Sequence, residues 1–194
     1  MNASALTGPG LPPLACRHWP TPVEARSLPP LVLIHGWGGD SAVWSELIPP
    51  LQQRGHDVIT LDLPGFGSSP AAEWRLDALL EQMARALPRR CLLLGWSLGG
   101  MLATAFAGRY PGRVAGLVTL ATNATFAQRD DWTAAMPTRL LRQFCRGFAA
   151  DPDGTVQQFT ALQARGDRRE RAVARGLRSR LPAVLPDQWG AALG

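Results

Sequence analysis

Two short apolar runs, Leu31-Val32-Leu33-Ile34 and Cys91-Leu92-Leu93-Leu94, interrupt an otherwise mixed pattern of apolar and polar positions. A run without alternation predicts a strand covered on both faces, as in a parallel sheet. Asp57-Val58-Ile59-Thr60-Leu61 and the stretch from Val114 to Leu120 have the same character, and a short strand is expected near Leu14 to Trp19. Between the runs the period becomes helical. Leu76, Leu79, Leu80, Met83 and Leu87 fall on one face of a helix over Leu76 to Ala86, and an Ala-rich helix runs from Met101 to Arg109. Strands alternating with helices predict an α/β fold built on a doubly wound, mostly parallel sheet.

Turn residues divide these elements. Gly36-Trp37-Gly38-Gly39 follows the first run, and Asp40 or Ser41 can cap the helix after it. Pro49-Pro50 is expected to kink or end that helix. Asp62-Leu63-Pro64-Gly65-Phe66-Gly67-Ser68 follows the next strand. In such sheets function gathers at the carboxyl ends of the strands. His35-Gly36-Trp37, Asp62-Leu63-Pro64 and Ser97 all lie at such ends, so three loops converge on one rim. From Asn123 the pattern changes: positions 132–193 hold no convincing strand and read as short helices punctuated by Pro137, Pro152, Gly166, Pro182 and Pro186. The expected organisation is a core over 1–122 with a helical cap over 123–194 laid on that rim.

The chemistry centres on Gly95-Trp96-Ser97-Leu98-Gly99-Gly100, which joins the Cys91 strand to its helix as G-x-S-x-G. A sharp strand-to-helix turn forces the central residue into a strained conformation that lifts its side chain clear of the sheet. The flanking glycines are required because a Cβ there would strike the neighbouring strand or helix. A glycine-rich turn with an incidental serine would carry the same letters. The strand before and the helix after favour a nucleophile, Ser97, with the amide of Leu98 aimed at a developing oxyanion.

Composition alters this picture little. All 20 basic residues are arginine, and the net charge is +5. No nucleic-acid recognition motif accompanies the charge, so an acidic protein partner is expected rather than nucleic acid. Cys16, Cys91 and Cys145 are scattered, which fits a reducing compartment better than disulfides or a metal. Met1 to Ala15 lacks the charged start and continuous apolar core of a secretory leader, and no run is long enough to span a membrane. A cytoplasmic protein is expected, without membrane contact, metal or organic cofactor.

Together, His35-Gly36-Trp37-Gly38, Asp62-Leu63-Pro64-Gly65-Phe66-Gly67-Ser68 and the Ser97 motif resemble the α/β-hydrolase superfamily. Arg129-Asp130-Asp131-Trp132 and the stretch from Thr155 to Gln163 make the chain most similar to the pimeloyl-[acyl-carrier protein] methyl ester esterases of biotin synthesis. The resemblance implies Ser97 as nucleophile and the amides of Trp37 and Leu98 as oxyanion donors. It implies Trp37, Ser97, Leu98, Phe159, Thr160, Ala161, Leu162 and Gln163 around the substrate. Arg171 and Arg175 match arginines that hold the acidic acyl-carrier protein, whereas Gly154 and Gln158 stand where that family has others. Arg168, Arg171, Arg175 and Arg178 are spaced to share one helix face, which is also how a plain solvated face would look. Related alternatives are a broad short-chain esterase and a C–C bond hydrolase. From a different class, the alternative is a non-catalytic hydrolase-like binding protein.

One half of the machinery has no counterpart. A serine hydroxyl needs an adjacent base, in this fold a histidine late in the chain after an Asp or Glu. His18, His35 and His56 all precede Ser97. His56 opens a strand at the wrong edge of the sheet, His18 lies in the irregular N-terminal region, and His35 belongs to the oxyanion loop. Asp130, Asp131, Asp151, Asp153, Asp167, Glu170 and Asp187 follow Ser97, all in the cap, where surface charge or helix capping is the expected role. The expectation is therefore a partial sequence of an esterase, lacking the C-terminal strands and helices and inactive or nearly so alone. A chain that has lost catalysis is the alternative. Either way a parallel strand is left without its neighbour, and poor solubility is expected.

Overall fold

The computed structural model describes residues 11–22, 28–181 and 183–193; positions 1–10 and 23–27, Pro182 and Gly194 lie outside them. Five strands form one sheet: β1 (Cys16–Trp19), β2 (Leu31–Ile34), β3 (Val58–Leu61), β4 (Cys91–Trp96) and β5 (Val114–Leu120). Their order is β1-β3-β2-β4-β5, with β1 antiparallel to β3 and the other pairs parallel. Ile34 pairs with Leu61 on one side and Gly95 on the other, so β2, β3 and β4 end together. That common end is the rim the sequence pattern predicts.

The runs of β2, β3 and β4 are buried or half-buried as expected, with successive residues serving opposite faces. By contrast β5, at the edge of the sheet, leaves Leu117, Val118 and Leu120 exposed because only one neighbour covers it. Val32 and Ile34 join a cluster with Leu61, Leu93, Leu79, Leu80, Met83, Leu102 and Phe106. These helical residues come from α2 (Leu76–Ala86) and α3 (Leu98–Arg109). Leu31 and Leu33 face the other way, toward Val58, Trp44 and Ile48. Each such side chain contributes about 1.5–3 kcal/mol by leaving water, which is why four-residue strands suffice here. Arg113 closes the far end of α2 by donating to the carbonyls of Ala84, Leu87 and Pro88 at 2.7, 2.8 and 2.9 Å.

Several local expectations are corrected. Pro49-Pro50 does not end a helix but opens one, α1 (Ile48–Gln53), because first-turn amides have no intrahelical partner to lose. Asp40 instead caps a single 3-10 turn, accepting from the Ala42 amide at 2.8 Å. Leu76 lies on the solvent side of the α2 start, 53% exposed, while Leu79, Leu80, Met83 and Leu87 are buried. His18 sits not in irregular chain but within β1, the short strand expected near Leu14 to Trp19, its ring nitrogen 3.5 Å from an Asp57 carboxylate oxygen.

After β5 come four helices: α4 (Thr138–Ala150), α5 (Pro152–Gln163), α6 (Glu170–Arg178) and α7 (Pro186–Ala191). Asp151 caps α5 through the Gly154 amide at 2.9 Å, and Gly166 turns the chain at φ 87°. Arg168 falls in the turn before α6 and not on it, so only Arg171, Arg175 and Arg178 share that helix. This layer is held to the rim chiefly by Trp37. Its ring meets Phe144, Phe148, Phe159 and Trp189 edge-on at 5.3, 5.3, 5.4 and 5.7 Å, and its Nε1 donates to the Trp189 carbonyl at 2.9 Å.

Candidate active site

Ser97 stands between β4 and α3 with φ 51° and ψ −116°, a left-handed conformation that a serine adopts only under constraint. Three glycines make room for it. A Cβ on Gly95 would come within 2.5 Å of the Gly100 backbone, and one on Gly99 would come within 2.5 Å of the His35 carbonyl. Gly36 brings the loop after β2 against the elbow, where its own Cβ would lie 3.3 Å from Ser97 Cβ. The Trp37 amide follows directly. Leu98 is the first residue of α3, so its amide is among those a helix leaves free. Thr122, just beyond β5, braces the other side by donating from Oγ1 toward the carbonyls of Leu120 (3.0 Å) and Ser97 (3.3 Å).

His35 is fully buried and supports the loop. Nδ1 lies 2.8 Å from the Gly36 carbonyl, and Nε2 accepts from the Leu63 amide at 3.0 Å. Accepting at Nε2 places the proton on Nδ1, which donates to Gly36. Both nitrogens of a neutral ring are thereby used. Burial, outweighing the Gly36 hydrogen bond and the Asp62 and Asp40 charges, holds its pKa below the ordinary value of 6.5. The ring stays neutral in the fold and gains a proton on unfolding. Stability is complete above about pH 6.5 and falls below it, toward the depressed folded value. Urea unfolding at pH 7.5 and 5.5 is expected to differ by up to about 1.4 kcal/mol, one proton's linkage. His35→Gln should remove most of that difference; an equal pH dependence in both proteins would contradict the assignment.

Asp62 is a supporting residue whose role its position at a strand end did not reveal. Its carboxylate accepts from the Ser41 amide at 2.7 Å and the Ser68 amide at 2.9 Å, tying the loops after β2 and β3 together. The other two histidines lie elsewhere: His18 on the outer strand, His56 at the amino end of β3. Four of the acids after Ser97 take the expected local roles. Asp131 pairs with Arg129, Asp151 caps α5, and Asp167 and Glu170 accept backbone amides around Gly166.

Ser97 opens onto a cavity of about 310 Å³ walled by Trp37, Leu98, Met101, Phe126, Leu141, Phe144 and Phe159, with Ala127, Ala192 and Leu193 completing it. Apart from Ser97 itself these walls are apolar, which suits a hydrocarbon chain. The structure thus gathers Trp37, Ser97, Leu98 and Phe159 but not the rest of the α5 stretch. Thr160 and Gln163 line a smaller recess beyond Trp37, with Arg180. Ala161 faces the hollow of Arg171, Arg175 and Arg178, and Leu162 is 60% exposed. Only one face of a helix can meet the cavity, so a run of five successive residues cannot line it. Phe126, Leu141 and Phe144 were not anticipated; no local signal ties them to a serine so far back in the chain. Among the described residues no His/Cys/Asp/Glu cluster is arranged to hold a metal, and no helix is long and apolar enough to cross a membrane.

Residues 29–189 match the family model of the alpha/beta hydrolase fold. The chain is 45% identical over 166 residues to the biotin biosynthesis bifunctional protein BioHC of Cellvibrio japonicus, an alignment covering 85% of this chain and 33% of that protein. It is 43% identical over 153 residues to the pimeloyl-[acyl-carrier protein] methyl ester esterase of Aeromonas hydrophila, covering 77% of this chain and 59% of the esterase. The chain therefore spans a third and under two thirds of these relatives' lengths. Among solved structures, an esterase from Exiguobacterium antarcticum superposes with a TM-score of 0.78 at 17% identity, covering 93% of this chain and 68% of that one. The matched family, the five-stranded sheet and the serine elbow agree: this chain belongs to the α/β-hydrolase fold family, and within it resembles the pimeloyl-[acyl-carrier protein] methyl ester esterases.

Proposed function

We propose that this chain carries the nucleophile, oxyanion donors and acyl pocket of a serine carboxylesterase that acts on the methyl ester of pimeloyl-[acyl-carrier protein]. The observation that carries the reading is Ser97 at φ 51°, opening directly onto an apolar cavity of about 310 Å³. In the proposed reaction Ser97 Oγ attacks the ester carbonyl, and the amides of Trp37 and Leu98 stabilise the oxyanion. Methanol leaves, and water releases the acid from the acyl-enzyme. The names of the relatives supply the substrate class; the apolar walls fit its hydrocarbon chain.

Residues 123–194 act in this reading as a cap over the core formed by residues 1–122. On the cap, Arg171 and Arg175, with Arg178, line an exposed hollow that suits an acidic carrier protein. A cytoplasmic location fits biotin-pathway chemistry of this kind.

His35 has both ring nitrogens engaged and His18 and His56 lie away from the elbow, so among the described residues Ser97 has no histidine to serve as its base. The chain alone is therefore a slow nucleophile. A fluorophosphonate probe is expected to label it weakly at Ser97, with labelling that rises with added imidazole as an external base. Ser97→Ala should abolish the reaction. Labelling that ignores both imidazole and the substitution would overturn the nucleophile assignment. Tight binding of carrier-bound methyl ester without any imidazole-dependent labelling would instead favour a non-catalytic binding protein.

A further inference from the structure

One wall of the cavity beside Ser97 is built by a segment with no helix or regular strand. Phe126 and Ala127 lie on a loop over residues 123–136, which is stabilised by two isolated bridges, Ala127 with Met136 and Arg129 with Trp132. Gln128 donates to the Met136 carbonyl at 2.8 Å, and Met136 donates back to Phe126 at 3.1 Å. At the tip, Arg129 and Asp131 form a forked pair with both contacts at 3.0 Å. This pair is exposed and adds little stability.

At the base of the loop, Asn123 connects its two limbs. Its Oδ1 accepts from the Trp132 indole at 3.0 Å and from the Ala124 amide at 3.0 Å, while its Nδ2 donates to the Ala134 carbonyl at 2.6 Å. An amide side chain, with separate acceptor and donor atoms, can bridge the two limbs in this way. Asn123 follows Thr122, the residue that braces the Ser97 carbonyl, and Ala121, whose φ of 46° starts the loop off β5. Elbow and cavity wall are thus fastened to consecutive residues.

We propose that Asn123 is a positioning residue that sets acyl-chain selectivity by holding the Phe126–Ala127 wall at a fixed distance from Ser97. It touches no substrate; it acts through the loop. The inference rests on the reading that this cavity receives the acyl chain. A closely held wall makes every added methylene displace water and meet protein, an affinity gain of about fourfold per methylene at full burial. A loosened wall forfeits that gain while leaving the contacts of the ester head unchanged.

The test uses the full chain and calorimetric titration with methyl butanoate, methyl hexanoate and methyl octanoate. The unsubstituted protein should bind each longer ester severalfold more tightly. Asn123→Ala should flatten the series to less than about twofold per methylene, and Trp132→Phe, which keeps the ring but loses the donor, should flatten it in the same direction. Asn123→Asp retains both accepted hydrogen bonds but loses the one donated to Ala134, so its series should fall between those of the unsubstituted protein and Asn123→Ala. Melting temperature is followed in parallel. A purely structural role would lower melting temperature and weaken all three esters equally, and that result overturns the proposal, as does an unchanged series in Asn123→Ala. If the unsubstituted chain bound no ester, the acyl-pocket reading itself would fall, and the proposal with it.

Discussion

Gly99→Ala is expected to cost the chain about 3 kcal/mol, the upper end for overpacking, and to abolish the imidazole-dependent labelling of Ser97. The added methyl would strike the carbonyl oxygens of Ile34 and His35. Both are backbone atoms at the end of β2, pinned between β3 and β4, so neither can rotate away. Relief requires α3 to slide off the sheet, which carries Leu98 and the Ser97 elbow with it. Gly108 is the matched control. It also lies in α3, yet a Cβ there meets nothing within 4 Å. Gly108→Ala should leave labelling intact and stabilise the helix by up to about 1 kcal/mol, the usual helix penalty of glycine. Urea denaturation of the two variants provides the comparison, and equal midpoints would show that the elbow does not depend on this approach.

The second large effect concerns association. β5 is an outer strand of the sheet, and Leu117, Val118 and Leu120 along it are 38%, 50% and 42% exposed. Val114 to Leu120 contains no charge and no proline, the two usual guards of a free edge. An apolar edge of this kind pairs with whatever strand it meets, another copy included. Val118→Lys is expected to raise the soluble, monomeric fraction severalfold in light scattering, at little cost in stability because the position is half exposed. Val32→Lys, on a fully buried strand, should unfold the chain instead. A parent protein already monomeric at high concentration, unfolding sharply and reversibly, would contradict the expectation.

The strands and the elbow are legible in the sequence. Unbroken apolar runs at Leu31, Val58 and Cys91 can satisfy water avoidance only by being covered on both faces. G-x-S-x-G between such a run and a helix leaves the chain one steric solution, which Ser97 adopts at φ 51°. Pro49-Pro50 misled because proline breaks a helix interior yet suits its first turn, and the letters alone do not say which applies. The role of Asp62, the wall made by Phe126 and Phe144, and the separation of Thr160, Ala161 and Leu162 into three surroundings depend on contacts between distant segments.

Order along the chain thus sufficed to locate the serine elbow, the loop after β2 and the strand ends that bring them together, because local sterics and burial dictate those. Which side chains line the cavity beside Ser97 follows from how α4, α5 and α7 converge on Trp37. Packing of that kind is set by complementary shape across the whole fold, and periodicity carries no record of it.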